Sequence, residues 1–299
     1  MRKIPTYIIL IVLILNSCYK EPHDYENHRT SYFKNVSNYT GKDSMLTCLT
    51  FNIQLGFNAY QDPWDADEIG GTQQQLDNLV QIIEHIDPII IALQEVPRNR
   101  YNTEIKYYIE AIAERLDMNF SFGSYGYNDP EGIWPIHGEW GNAILSKYEI
   151  LGIKNIEVSY VDKWGKRSIL DALLKLNDTL SIHVISVHYG RRLNEYNDGL
   201  RNTKDYIKTI TGPVILMGDF NPQFGPELLS NDLQQSGLSC SDAYSVHGGD
   251  MIFYSKKDFT IDNIGSYYDT INWTSDHPAN YSTLKLNTYS HSYTALPKR

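Results

Sequence analysis

Two spacings of apolar residues alternate along the chain. Short runs rich in aliphatic and β-branched residues at Met45–Phe51, Ile89–Leu93, Ala143–Leu145, Ile169–Leu176, Leu180–Val187 and Val214–Met217 predict strands. Between them, Gln73–His85, Ile105–Leu116 and Leu200–Ile210 carry amphipathic patterns that predict helices. Pro88 and the pair Gly212-Pro213 stand where two of these helices must turn into strands. The runs IIIAL and VILM are apolar on both faces, as in strands buried between layers. The pattern predicts an α/β or α+β domain with a sheet-rich core.

The pattern fails at both ends. Arg2 and Lys3 precede an uninterrupted apolar run from Tyr7 to Leu15, and Leu15-Asn16-Ser17-Cys18 follows. This reads as an export signal over residues 1–17, because the run has about half the roughly 20 residues that span a bilayer as a helix. Its ending resembles a bacterial lipoprotein signal, with Cys18 as the lipidated first residue and a membrane anchor. Asn16 is not the usual small residue at its place, so ordinary cleavage and release as a soluble secreted protein is the alternative. Residues 18–44, polar and without period, read as a flexible tether, and residues 287–299 read as a similar tail. One domain over 45–286 is the economical reading. Cys48 and Cys240 are then left as either a disulfide or two separate thiols.

Charge changes the view of partners. The chain has 299 residues and a formal net charge of −10, whereas proteins that grip long nucleic acids usually present a basic face. A long duplex is therefore disfavoured, although a local basic groove can hide inside a global sum. The acidic stretch Asp62–Glu68, with Trp64 inside it, reads first as a solvated loop and otherwise as a lid or cation site.

The chemical signal lies at the strand ends. Asn52 follows LTCLTF, Gln94-Glu95 follows IIIAL, His188 follows SIHVISV, and Asp219 with Asn221 follows VILMG. Each has a plain structural explanation: a turn former, a solvated strand terminus, a surface histidine, a cap. As a set they make a hard-oxygen site with imidazoles beside it, which suits magnesium or manganese better than zinc.

Six segments then fall into a recognisable order: LTFN at Leu49–Asn52, ALQEV at Ala92–Val96, GNAILS at Gly141–Ser146, SVH at Ser186–His188, GDFN at Gly218–Asn221 and SDHP at Ser275–Pro278. In this the chain resembles the endonuclease/exonuclease/phosphatase superfamily of DNase I-like nucleases, abasic-site endonucleases, neutral sphingomyelinases and inositol polyphosphate phosphatases. The resemblance implies a four-layered α/β/β/α sandwich with the active site at one end. It implies a metal site of Glu95, Asn52 and Asp276 for Mg2+, with Mn2+ as a second choice. Asp219 and Asn221 would orient the attacking water and the phosphate, and His277 would contact the phosphate. The partner of His277 is placed at Asp250, with Asp262 as the competing choice. His188 resembles the second histidine of two branches, with Glu139 as the residue that orients it. Arg167 is either a phosphate-facing arginine or a solvated one.

The expected mechanism follows from those roles. Asp219 deprotonates water, His277 shares that work near neutral pH, His188 with Glu139 protonates the leaving group, and the metal on Glu95 acts as a Lewis acid. The expected function is hydrolysis of a phospholipid head group, inositol phosphate or other small phosphoester outside the cytoplasm, by a monomer. A secreted nuclease, or a binding protein that kept the fold without the activity, are the alternatives.

Overall fold

The computed structural model describes residues 30–41, 43–127, 138–161, 165–241 and 249–287. The export signal, Cys18, the first part of the tether and the tail beyond Asn287 lie outside the described residues. The core is two facing sheets. The seven-stranded sheet runs in the order β1 (Ser31–Lys34), β4 (Asn119–Tyr127), β5 (Glu139–Ser146), β3 (Ile90–Arg98), β2 (Met45–Asn52), β13 (Ala279–Leu286), β12 (Phe259–Tyr267). The six-stranded sheet runs β10 (Leu238–Cys240), β11 (Asp250–Ser255), β9 (Val214–Asp219), β8 (Ser181–His188), β7 (Gly165–Lys175), β6 (Glu149–Val161).

Alternation along the strands builds four layers, because successive side chains of a strand face opposite ways. Leu46 and Cys48 of β2, Ile90 and Ala92 of β3, Ile182 and Val184 of β8, and Ile215 and Met217 of β9 meet between the sheets. Leu49, Phe51, Ile91 and Leu93 point outward onto α1 (Gln73–Ile86) and α2 (Tyr108–Leu116). Ile185, Val187, Val214 and Leu216 point outward onto α3 (Leu193–Ile207) and α4 (Pro226–Gln234). Strands filled on both faces explain the unbroken apolar runs in the sequence. The fold is the α/β/β/α sandwich expected.

Helix α1 shows how local sequence sets an element. Thr72 caps its start by accepting from Gln75 N while Gln75 answers through the Thr72 backbone, and Leu76, Leu79, Val80 and Ile83 form the buried stripe. It carries the chain from β2 to its parallel neighbour β3, as α3 carries it from β8 to parallel β9. Parallel neighbours must be joined by such a crossover. Both parallel pairs consequently end together, where Asn52 of β2 donates to Asp219 of β9 at 3.2 Å.

Several expectations need correction. The domain does not begin at residue 45: β1 pairs with β4, and Tyr32 packs on Phe120 and Phe122 at 6.0 and 5.9 Å between ring centroids. The segment after it is also fixed, since Asn35 exchanges two hydrogen bonds with the Ile150 backbone and Asn119 Oδ1 accepts from Val36 N and Ser37 N. The helix expected at Leu200–Ile210 begins at Leu193, where a polar first turn conceals the buried Glu195 and Tyr196. Cys48 lies buried between the sheets and Cys240 on the outer side of the six-stranded sheet, and the two are not joined by a disulfide.

Candidate active site

The polar residues at the strand ends continue the inter-sheet face past the last apolar layer. Along β2 the inward phase Leu46, Cys48, Thr50 ends at Asn52; along β8 the phase Ile182, Val184, Ser186 ends at His188; along β9, Ile215 and Met217 lead to Asp219. β11 runs the opposite way and begins with Asp250. Register places Asp219 beside both His188 and Asp250. A rigid sheet end thus gathers four functional side chains before any loop is needed. The glycine of GDFN serves the same packing, since Gly218 has φ 151° and a Cβ there would lie 2.0 Å from the Val187 carbonyl oxygen.

Glu95 is aimed differently. Pairing of β3 with β5 is regular to Leu93 and resumes at Val96, and Glu95 sits in this bulge with φ 54°. That conformation costs on the order of 1 kcal/mol or more for a non-glycine residue, and bulges of this kind re-aim a side chain. The Glu95 carboxylate lines the pocket, 3.8 Å from His188 Nε2, and no described residue donates a hydrogen bond to it. Burial raises its pKa above the ordinary value, against the pull of Arg167 and His277. It is not the solvated strand terminus that its position alone suggests.

Asp219 lies between the two histidines, with Oδ2 3.5 Å from His188 Nε2 and 4.0 Å from His277 Nε2. Burial acts to raise its pKa, but His277 and the other donors around it hold it below the ordinary value, so it is an anion. His277 Nδ1 meets Asp250 Oδ2 at 2.6 Å. Burial would discharge His277, yet Asp250, with Asp219 and Asp276, pushes its pKa up to about 10. Asp250 is therefore the partner of His277, and Asp262 is exposed on the edge strand β12. His277 is a cation at neutral pH rather than a group poised near it.

The other wall is aromatic. Trp140 and Tyr125 flank His188 with ring centroids 6.1 and 5.9 Å away, and the Arg167 guanidinium lies 4.6 Å from the Trp140 ring and 5.2 Å from that of Tyr125. Arg167 is only 7% exposed, so the solvated alternative is excluded, and its Nε and Nη1 make no hydrogen bond. Burial, then the Arg167 charge, pushes the His188 pKa well below its ordinary value. His188 is neutral, with Nδ1 buried and without a hydrogen-bond partner.

Glu139 does not orient it. Its carboxylate binds Arg98 Nη1 at 2.5 Å and accepts from Thr30 N at 3.3 Å, a link between strand β5 and the chain entering β1. The motif GEWGN misled because the residue that touches His188 is Trp140, next along the strand and on the opposite face. Asn52 donates to Asp219 and accepts from Gln54 N at 3.1 Å, so it orients Asp219. Asn221, with φ 43°, donates its side-chain amide to the Tyr189 carbonyl at 2.9 Å while its backbone N–H caps Asp219 Oδ1 at 3.0 Å. Asp276 lines the pocket, 3.9 Å from His277 Nε2.

Of these residues Glu95, Trp140, Arg167, His188, Asp276 and His277 border a cavity of 360 Å3 that also includes Gln54, Pro63, Trp64, Arg191, Arg192 and Glu195. None of that second set was legible from motif spacing. The acidic stretch contributes Trp64 rather than its carboxylates: Asp62 Oδ1 and Asp65 Oδ1 accept from backbone N–H groups of their own loop. Buried Arg100 fixes that loop, donating to the Pro63 carbonyl at 2.9 Å with its guanidinium 5.0 Å from the Trp64 ring.

The sequence pattern of the endonuclease/exonuclease/phosphatase family matches residues 49–277, from the last residues of β2 to the active-site histidine. The chain belongs to this family. Enzymes of the endonuclease/exonuclease/phosphatase family hydrolyse phosphoester bonds and generally depend on a divalent metal. The uncharacterized protein YbhP of Escherichia coli (strain K12) is 28% identical over 183 residues, 58% of this chain and 65% of its own length, so the match spans just under two thirds of that relative. Among solved structures, an endonuclease/exonuclease/phosphatase from Beutenbergia cavernae superposes with a TM-score of 0.64 at 17% identity, over 81% of this chain and 72% of that one. The human Nocturnin catalytic domain with bound sulfate gives 0.59 at 17% identity, over 87% and 98%. At such identities the likeness speaks for the fold.

The residues present fit a divalent ion. Two carboxylates, Glu95 and Asp276, line the pocket, and the amide oxygen of Asn52 stands at the end of the strand next to β3. Among the described residues no three His, Cys, Asp or Glu side chains already converge on one point. Oxygen donors of this kind suit a hard cation.

Proposed function

We propose that this protein is a magnesium-dependent phosphoester hydrolase that acts outside the cytoplasm on a small phosphoester, either a phospholipid head group or a phosphorylated polyol. The supporting observation is one constellation: anionic Asp219 between a cationic and a neutral histidine, beside a half-buried carboxylate in a bulge and an arginine whose Nε and Nη1 make no hydrogen bond. When bound at Glu95 and Asp276, the ion supplies charge neutralisation for a phosphoryl oxygen and for the leaving oxygen.

The remaining work is done by the chain's own groups. Asp219, held by Asn52 and the Asn221 backbone, accepts the proton of the attacking water. His277, kept charged by Asp250, donates Nε2–H to a phosphoryl oxygen, and Arg167 presents its free N–H groups from the facing wall. His188, neutral and enclosed by Tyr125 and Trp140, keeps Glu95 and Asp219 apart and excludes water from that side.

The proposed location rests on the sequence signal before Cys18, and the preference for a small phosphoester on the acidic chain and the confined pocket. A nuclease is the second reading. Purified protein assayed with magnesium against DNA, sphingomyelin, phosphoinositides and bis-p-nitrophenyl phosphate separates them. Metal-dependent turnover of the small substrates supports the proposal, and preferential turnover of DNA replaces it with the nuclease.

A further inference from the structure

Large apolar side chains that face solvent are unevenly placed. Among the described residues Ile271, Tyr60, Tyr101, Phe224 and Leu228 are each more than half exposed, Ile271 at 83% and Tyr60 at 72%, and away from the end of the sandwich that holds these five no large apolar side chain exceeds 46%. Strand direction identifies that end. β2, β3 and β9 run toward the active site, and Tyr60, Tyr101 and the pair Phe224 and Leu228 follow them; Ile271 lies on the turn before β13, which starts at the same end beside β2. Scattered exposed apolar residues are ordinary, whereas their concentration at one place marks a contact surface.

The turn that carries Ile271 is firmly built. Buried Asp269 accepts from Ile271 N and Asn272 N at 3.0 Å and from Thr274 Oγ1 at 2.5 Å. Trp273, with φ 51°, lies 5.1 Å from the Tyr60 ring and 5.8 Å from that of Tyr268, and its carbonyl accepts from Ala59 N at 2.8 Å. Two loops are thus joined beside the pocket, where Gln54 Oε1 accepts from Asp276 N at 3.2 Å. A fixed scaffold holds an isoleucine and two aromatic rings toward water at the mouth of the site.

The chemistry of this surface selects its occupant. Tyrosine and tryptophan, with apolar rings and polar tips, suit the boundary between a bilayer and water. The chain also enters the domain here: Thr30 N donates to Glu139, the first residue of β5, and the segment before Thr30 carries the apolar run and Cys18. Asp62, Asp65, Asp67 and Glu68 share the loop of Tyr60, so the contact is apolar rather than an attraction to anionic head groups.

We propose that the active-site end of the domain docks on a lipid bilayer, with Tyr60, Ile271 and Trp273 entering the interface beside the pocket and Phe224 and Leu228 meeting it from the side of the six-stranded sheet. The docking stands on this surface alone; that the phosphoester is drawn from the bilayer rests on the hydrolase reading above.

The test uses the full chain with phosphatidylcholine vesicles whose acyl chains are brominated near the head group, which quench tryptophans that enter the interface. Emission is expected to fall, to stay quenched at high salt, and to lose most of that fall in Trp273→Phe. The segment before Thr30 contains no tryptophan, so an N-terminal anchor by itself cannot give a quenching that depends on Trp273. Absent quenching, which leaves the patch to a protein surface, or quenching equal in wild type and variant, overturns the docking, and quenching lost at high salt overturns its apolar character. Supply of substrate is read separately. Tyr60→Ser/Ile271→Ser is expected to lower kcat/KM on sphingomyelin or phosphatidylinositol in phosphatidylcholine vesicles by about tenfold or more, the scale of two large apolar side chains withdrawn from a contact, and to leave turnover of soluble bis-p-nitrophenyl phosphate unchanged. An equal change on both substrates, or none on either, overturns the supply from the bilayer. If nothing is turned over the hydrolase reading falls, and the quenching still decides the docking.

Discussion

His277 and His188 approach the same carboxylate, Asp219 Oδ2, from opposite sides at 4.0 and 3.5 Å. One side is acidic, with Asp250 2.6 Å from the His277 ring nitrogen and Asp276 beside it; the other is aromatic, with Tyr125, Trp140 and the Arg167 guanidinium around His188. Burial disfavours the charged form of both rings, and only the acidic side overcomes it. One residue type thereby supplies a fixed cation and a fixed neutral group in one site. Charge state here is set by neighbours, so a histidine count says little about roles.

The largest effect is expected where the cation is removed. His277→Ala should lower kcat on any accepted phosphoester by about a hundredfold or more, the scale of a lost acid–base or charge-stabilising group. Steady-state kinetics on purified, folded protein check this, and turnover within a few-fold of wild type would mean that His277 does not face the reacting group. Asp250→Asn keeps the shape and removes the charge. It should cost about tenfold in kcat, the differential of roughly one lost charge-assisted hydrogen bond.

The same substitution sharpens the comparison through pH. With its pKa at about 10, His277 binds its proton throughout neutral pH, and in Asp250→Asn it should begin to lose that proton as pH rises toward neutrality, while His188 stays neutral in both proteins. Imidazole NMR titrations from pH 6 to 8 (a window set about the ordinary histidine pKa of about 6.5) read this directly. A His277 ring that titrates within that window in the wild type would contradict the ion pair.

The smallest effect is expected at Glu139. Because its carboxylate serves Arg98 and Thr30 N rather than His188, Glu139→Gln should change kcat by no more than about twofold. Its cost belongs to stability, about 1–3 kcal/mol for a buried charged acceptor, measured by denaturant unfolding. A hundredfold fall in kcat with unchanged stability would restore it to the catalytic set.

How much of this was legible in the sequence divides along the same line between strands and walls. Unbroken apolar runs gave the inner strands, and their polar last residues gave Asn52, His188 and Asp219, because alternation carries an inward phase straight into the site, whereas Glu95 reaches it through the bulge in β3. Pattern placed the partner of His277 at Asp250 with Asp262 competing, and register against Asp219 settles it for Asp250. β1 is too short for a period, and its Tyr32 counts only once Phe120 and Phe122 lie beneath it. Trp64, Gln54 and the arginine pair come to the pocket on loops, where neighbours in space are set by Arg100 and by helix α3 rather than by spacing along the chain. The choice of Glu139 over Trp140 failed by one residue, which in a strand is the difference between faces.

On the function proposed, Glu95 and the strand-end cluster make a metal-dependent phosphoester hydrolase. The measurement that tests it most directly is magnesium-dependent hydrolysis of bis-p-nitrophenyl phosphate and phosphoinositides by the purified protein, with chelator and with Glu95→Ala in parallel. Turnover is expected that chelator abolishes, magnesium restores and Glu95→Ala lowers by about a hundredfold or more, the scale of losing a principal catalytic electrostatic contact. Turnover that persists in Glu95→Ala, or that is indifferent to chelator, would contradict it.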